Sequence, residues 1–235
     1  MEGEIRFLRS AMNPPDRTRD RYVAGTIGAK TVTVLRSGVG PKNASRRLAQ
    51  MTKGRDSQCV LSIGCAGALD PSVKVGDVVI SEKIVDGTSK NDAYYPSLDL
   101  VGKARDCCKK LDIAFHSGTT VSTAEVAANP GAKTALAEKH DALAVDMESA
   151  QVAAWAYELG LPILAIRAIS DASTDSIPPE IGAIVDPRGK LRPLTALALF
   201  SRRPALLLET VRLKRKLDRS LGVLEKIVTA LLGEI

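Results

Sequence analysis

The sequence predicts an α/β fold: one domain, a central sheet covered by helices on both sides, and a long C-terminal helix. Three observations carry this. Apolar runs of strand length alternate with stretches of helical periodicity between residues 22 and 169. The later strand runs have no polar face, as in a sheet buried on both sides. Leu207, Val211, Leu217, Leu221, Leu224, Val228 and Leu231 then trace a stripe along a helical region at 204–232.

Taken in order, residues 22–27 and 31–36 read as two strands around the turn Gly28-Ala29-Lys30. Ser37-Gly38-Val39-Gly40-Pro41 is a glycine loop, and Pro41 suits the first turn of a helix running on through 42–51. Residues 59–63 form a short buried strand ending in the turn Gly64-Cys65-Ala66-Gly67. A Val- and Ile-rich strand at 77–85 follows, then a helix at 98–111 and an extended stretch at 114–121. A helix with Pro at its start covers 130–139. The apolar piece 143–145 leads into a helix at about 147–159, closed by Gly160 with Pro162 beyond it. Residues 163–169 are an all-apolar strand broken only by Arg167. The proline-rich segment 175–193 reads as a loop. A core of residues 1–175 and an extension of 176–235 packed on the same domain are expected.

Composition narrows the function classes. The chain has 235 residues, 45% apolar and 26% charged, ordinary globular values. The net charge of +6 sits largely in the tail, where Glu209 and Asp218 are the only acids between Arg188 and Arg219. Aromatics are only 3%, too few for a base-stacking nucleic-acid surface. The cysteines Cys59, Cys65, Cys107 and Cys108 contain no C-x-x-C pair, and only His116 and His140 could complete a zinc site, so neither metal nor cofactor is expected. No apolar run approaches a membrane span and no signal peptide opens the sequence. A reducing, cytoplasmic setting is the expectation.

Three apolar strands end in small polar or acidic clusters: Gly64-Cys65-Ala66-Gly67, Asp146-Met147-Glu148-Ser149, and Ser170-Asp171. Ligands of open α/β sheets bind at such carboxyl ends. Asp171 follows a nearly uncharged strand, so desolvation would favour a proton donor there. A helix N-cap is the plainer reading of the same residue. Glu148 reads equally as a helix-dipole acid, Asp146 as an N-cap, and 64–67 as an anion cradle or a plain tight turn.

These segments together resemble a known family. Ser37-Gly38-Val39-Gly40-Pro41-Lys42-Asn43-Ala44, Ser62-Ile63-Gly64-Cys65-Ala66-Gly67-Ala68-Leu69 with Val75-Gly76-Asp77-Val78-Val79, Ala144-Val145-Asp146-Met147-Glu148-Ser149-Ala150, and Arg167-Ala168-Ile169-Ser170-Asp171 match its signatures in order and spacing. The family is the nucleoside phosphorylase and nucleosidase superfamily, especially its methylthioadenosine/S-adenosylhomocysteine nucleosidases. The resemblance covers about residues 1–175 and implies a mixed central sheet of the phosphorylase/hydrolase-like kind.

It also implies the chemistry. Cleaving an N-ribosyl bond builds positive charge on the sugar, and the purine leaves more easily once N7 is protonated. The resemblance makes Asp171 the general acid, oriented by Ser170. It puts Glu148 on the ribose hydroxyls and Met147 under the ribose. Val126 meets the base through its backbone, Arg167 holds acids near the pocket, and Cys65, Ala66 and Gly67 lie at the substrate. Family phosphorylases carry R-x-G-T where this chain has Ser62 and Cys65, which favours water over phosphate as nucleophile. Met1-Glu2-Gly3-Glu4-Ile5-Arg6-Phe7-Leu8 matches the nucleosidase segment that places a base, here Glu4.

There are departures. The family's first strand would precede Glu4, and the sequence begins too late to contain it, which would open a sheet edge. The aromatic that stacks on the base aligns to Glu125, with Tyr94 or Tyr95 as a substitute from a loop. The tail pattern Asp175-Ser176-Ile177-Pro178-Pro179, Val185-Asp186-Pro187-Arg188-Gly189-Lys190 and Arg203-Pro204 resembles the hopanoid-associated branch, which implies adenosylhopane as substrate. The basic amphipathic tail helix would reach such a substrate at a membrane surface, or simply cover the sheet or a subunit interface. The expected activity is hydrolytic release of adenine from a small-molecule purine nucleoside, by a homodimer or higher homo-oligomer that binds no nucleic acid. A phosphate-dependent phosphorylase and a non-catalytic nucleoside-binding or membrane-peripheral protein are the rival readings.

Overall fold

A computed structural model describes residues 8, 10–18, 22–51, 57–88, 92–178, 180 and 203–235. Its strands are β1 (Asn13–Thr18), β2 (Tyr22–Ile27), β3 (Lys30–Leu35), β4 (Val60–Ala68), β5 (Val78–Asp86), β6 (Ala93–Tyr94), β7 (Phe115–Ser122), β8 (Ala142–Asp146) and β9 (Ile163–Asp171). The helices are α1 (Pro41–Ala49), α2 (Leu98–Lys110), α3 (Pro130–His140), α4 (Ser149–Glu158) and α5 (Pro204–Glu234).

β1, β2 and β3 form an antiparallel sheet, with β2 and β3 in continuous register from Tyr22↔Leu35 to Ile27↔Lys30. The central sheet has the order β6-β5-β7-β8-β4-β9. It is mixed: β5–β7, β7–β8 and β4–β9 are parallel, while β4–β8 and β5–β9 are antiparallel. Because β9 also pairs with β5, at Val78↔Ala168 through Ile80↔Ile166, the strands β5, β7, β8, β4 and β9 close into a ring. The α/β class and mixed sheet are as the sequence predicts.

β9 shows why residues 163–169 are apolar at every position but Arg167. Leu164, Ile166 and Ala168 point into one core with Leu100, Val101 and Ala104 of α2 and Leu224, Ile227, Val228 and Leu231 of α5. Ile163 and Ala165 point the other way, onto Ala150, Ala153 and Ala156 of α4. Alternate side chains of one strand thus face helices on opposite sides. The tail stripe serves this packing: Leu224, Val228 and Leu231 are buried, whereas Leu207 and Val211 near the start of α5 are exposed. Each fully buried leucine or isoleucine here stabilises the fold by about 1.5–3 kcal/mol.

Two sequence expectations need correction. Gly64, Cys65, Ala66 and Gly67 are not a turn: β4 runs through them to Ala68, paired along its length with β9. Small residues here allow close approach of the neighbouring strand's polar end, not a chain reversal. Helix α4 begins at Ser149, with Glu148 as its N-cap residue rather than its first turn. The loop expected at 175–193 lies mostly outside the described residues. Among the described residues, no helix is long and apolar enough to cross a membrane.

Candidate active site

The carboxyl ends of β4, β8 and β9 lie side by side, since Gly67 pairs with both Val145 and Asp171. All three contribute to one cavity of about 1270 Å³, lined among others by Cys65, Ala66, Gly67, Val126, Met147, Glu148, Ser170 and Asp171. The cavity continues along β4 and β3, and its far wall holds Leu217, Val228, Leu232 and Ile235 of the tail helix.

Asp171 closes β9 and is buried. Its Oδ1 lies 2.9 Å from the Ser170 hydroxyl, which is itself 3.2 Å from the Ala66 carbonyl. Its Oδ2 accepts from the Lys133 ammonium at 2.5 Å, and the same ammonium donates to the Ala172 carbonyl at 2.6 Å. Lys133 is only 1% exposed. The N-cap reading of Asp171 is therefore set aside: its partners are side chains, and no helix begins at residue 172. The carboxyl is buried, as its place at the end of an apolar strand predicts, and a buried cation that the sequence reading did not include sits against it.

The sequence reading missed Lys133. A signal was there. Lys133 stands three, four and seven residues before Leu136, Ala137 and His140, so it occupies the inward stripe of α3. Leu136 and Ala137 pack against a buried apolar cluster.

Glu148 reaches the glycine loop: Gly40 donates its backbone N–H to Oε1 at 2.5 Å. Gly40 has φ 87°, a conformation that favours glycine, and a Cβ there would meet the Met147 methyl at 3.7 Å. The glycine loop thus packs directly against both Met147 and Glu148.

Asp146 lines the cavity, but its carboxylate is held by the protein's own donors. It is buried and takes hydrogen bonds from Ser122 Oγ at 2.5 Å, Ser149 Oγ at 2.5 Å, Arg167 Nε at 2.6 Å and the Ser149 backbone N–H. Arg167 is held just as fully. Nε meets Asp146, Nη1 meets the Ser62 and Ile166 carbonyls, and Nη2 meets the Ser62 and Ser149 hydroxyls. These five contacts use all five donors of a guanidinium.

Val126 is 54% exposed and lies at the cavity rim, beside Thr123, whose hydroxyl donates to the Glu125 carbonyl at 2.7 Å. Tyr94 and Tyr95 do not line this cavity, which corrects their proposed stacking role. Tyr94 packs edge-on against Tyr157 with ring centroids 5.2 Å apart, and the Tyr157 hydroxyl bonds the backbone of Tyr95. Among the described residues, Trp155 is the aromatic that lines the cavity. Glu4 lies outside the described residues. Vicinal Cys107 and Cys108 are buried on α2, where desolvation pushes the Cys108 thiol up to about 12.

Fold and site together define an α/β protein whose pocket gathers the acidic ends of mixed-sheet strands. Comparison with known proteins agrees. The family model described as the phosphorylase superfamily matches residues 1–183. A 5′-methylthioadenosine/S-adenosylhomocysteine nucleosidase of Bacillus licheniformis is 30% identical over 190 residues, 73% of this chain and 82% of that protein. One from Shewanella sp. strain MR-7 is 27% identical over 219 residues, 85% of this chain and 93% of that protein. The crystal structure of the Neisseria meningitidis nucleosidase with methylthio-immucillin-A superposes with a TM-score of 0.78 at 21% identity, covering 100% of this chain and 96% of that one. Futalosine hydrolase of Helicobacter pylori superposes with a TM-score of 0.76 at 18% identity, covering 100% and 95%. The chain belongs to the phosphorylase superfamily.

Proposed function

We propose that this protein is an adenine-releasing nucleosidase, hydrolysing the N-ribosyl bond of a small adenine nucleoside. The observation that carries this is Asp171 beside Ser170 on one wall of the cavity, with Glu148 and Met147 on the same cavity. Asp171 protonates the departing purine, and its proton comes to rest on N7. Glu148 binds the ribose hydroxyls and stabilises the cationic sugar, held in place by Gly40. Met147 packs under the ribose, and Val126 meets the base. Water attacks the sugar, with Glu4 as its base. The relatives named as nucleosidases support this reading.

Water is favoured over phosphate by Ser62 and Arg167. Ser62 stands where phosphorylases of the family carry arginine, and Arg167 has no spare donor for an anion. Arg36 and Arg47 line the cavity and are the observation on the phosphorolytic side. Purified protein incubated with methylthioadenosine decides between them. Free pentose and adenine, formed at the same rate without phosphate, support hydrolysis. Pentose-1-phosphate formed only with phosphate overturns it.

The apolar far wall at Leu217, Val228, Leu232 and Ile235 favours a 5′ substituent longer and more apolar than methylthio, as in adenosylhopane. Rates on 5′-alkylthio adenosines of increasing chain length test this: kcat/KM rises with length if the wall is used, and falls if it is not. Leu207, Leu208 and Val211 are exposed near Arg212 and Arg215 on α5, the feature that supports contact with an anionic membrane. Failure to co-sediment with anionic vesicles removes that contact. The family resemblance supports a homo-oligomer, checked by light scattering.

A further inference from the structure

The structure holds a buried cation that the chemistry above does not use. Lys133 is fully enclosed, and its ammonium touches Asp171 Oδ2 at 2.5 Å and the Ala172 carbonyl at 2.6 Å. Taking an ammonium out of water is costly, and an apolar side chain of similar length would fill the same space without that cost. What the lysine does to Asp171 is the better account of its presence.

The two oxygens of Asp171 are made unequal. Oδ2 receives an N–H from Lys133, so a proton placed there would face another hydrogen. Oδ1 faces the Ser170 hydroxyl, which has one hydrogen and two acceptors within reach, Oδ1 at 2.9 Å and the Ala66 carbonyl at 3.2 Å. When the Ser170 hydroxyl donates to Ala66, its oxygen is free to accept from Oδ1, so Oδ1 is the carboxyl oxygen on which a proton finds an acceptor.

We propose that Lys133 is a positioning residue that confines the acidic proton of Asp171 to Oδ1, the oxygen that delivers it to the leaving base. The inference rests on the nucleosidase reading. In the step itself the Oδ1–H bond breaks and an H–N7 bond forms. The electron pair of the C1′–N9 bond goes to the purine, which leaves neutral. Water captures the ribosyl cation and releases its extra proton. Lys133 keeps its own protons throughout and faces the carboxylate that results.

The test compares two substrates on Lys133→Met: methylthioadenosine, whose base needs a proton, and 4-nitrophenyl riboside, whose leaving group needs none. On methylthioadenosine kcat falls by roughly 10²-fold, the usual scale of acid catalysis, with KM nearly unchanged. On the aryl riboside kcat stays within about threefold of the unmodified protein. Circular dichroism first checks that the variant is folded. Where it is not, Lys133→Leu, which is shorter and equally without a donor, is measured in its place. Equal losses on both substrates, or no loss on either, overturn the role given to Lys133 while leaving the nucleosidase reading intact. Unmodified protein that releases adenine from no adenine nucleoside overturns that reading and this one with it.

Discussion

Gly67 of β4 faces Asp171 of β9 so closely that a methyl group on residue 67 would lie 2.7 Å from the carboxylate oxygen Oδ2. That oxygen is also the one held by Lys133. The glycine is needed because the acid occupies the space of its missing side chain.

Gly67→Ala therefore pushes the acid off its position without straining the backbone, since the φ of residue 67 is not in the left-handed region. A displacement of about 1 Å at a reacting group costs on the order of 10²-fold in rate. Steady-state kinetics on an adenine nucleoside should show that loss in kcat, with far-ultraviolet circular dichroism unchanged. Unaltered kcat would mean that the carboxyl has room to move.

Arg167 and Asp146 are a structural pair. Both are buried, with side chains 3% and 1% exposed. Arg167→Met leaves the Asp146 carboxylate uncompensated and should destabilise the fold by about 3–5 kcal/mol in urea unfolding. Adding Asp146→Asn should recover part of that loss, because the stranded charge is removed. A double variant no more stable than the single would show that the two residues do not act as a pair.

Glu148→Gln keeps an acceptor oxygen for the Gly40 N–H and removes only the charge. If that charge stabilises a cationic ribosyl group, kcat/KM should fall by roughly 10²–10³-fold with stability preserved. A loss below tenfold would move Glu148 to a purely structural role.

Asp175 ties the tail to the site: Lys216 of α5 donates to its Oδ2 at 2.6 Å, and so does the Ala172 N–H at 2.8 Å. Burial opposes its ionisation, but these hydrogen bonds outweigh that effect and hold the carboxyl below its ordinary value of 3.8. A depressed folded value means stability that is complete above the ordinary value and lost as pH falls through the folded one. The stability gap between the native protein and Asp175→Asn should thus be constant from pH 7 to pH 5 and close as the pH drops below 3.8. Urea unfolding at stepped pH measures it. A gap that widens on acidification would contradict the assignment.

The sequence made β9 legible because a strand buried on both faces has no polar positions to hide among, so Asp171 stood out at its end. Ser170, Glu148, Met147 and the glycine loop were found through four ordered motifs, and they line one cavity. Gly64–Gly67 was misread because glycine marks both chain reversal and close approach, and only the neighbouring strand distinguishes them. Lys133 was invisible to composition, since a lysine on a short helix ordinarily faces water. Its inward direction depends on the partner waiting there, and Asp171 is 38 residues away in sequence. Tyr94 and Tyr95 were attractive by residue type alone, yet Tyr157 claims both.

The claim on which the account turns is that Asp171 hands a proton to the leaving purine. Single-turnover adenine release by Asp171→Asn measures it directly, alongside adenine binding to show that the pocket is intact. The account predicts binding close to that of the unmodified protein and a rate lower by about 10²–10⁴-fold. An undiminished rate in a folded, adenine-binding variant would contradict it.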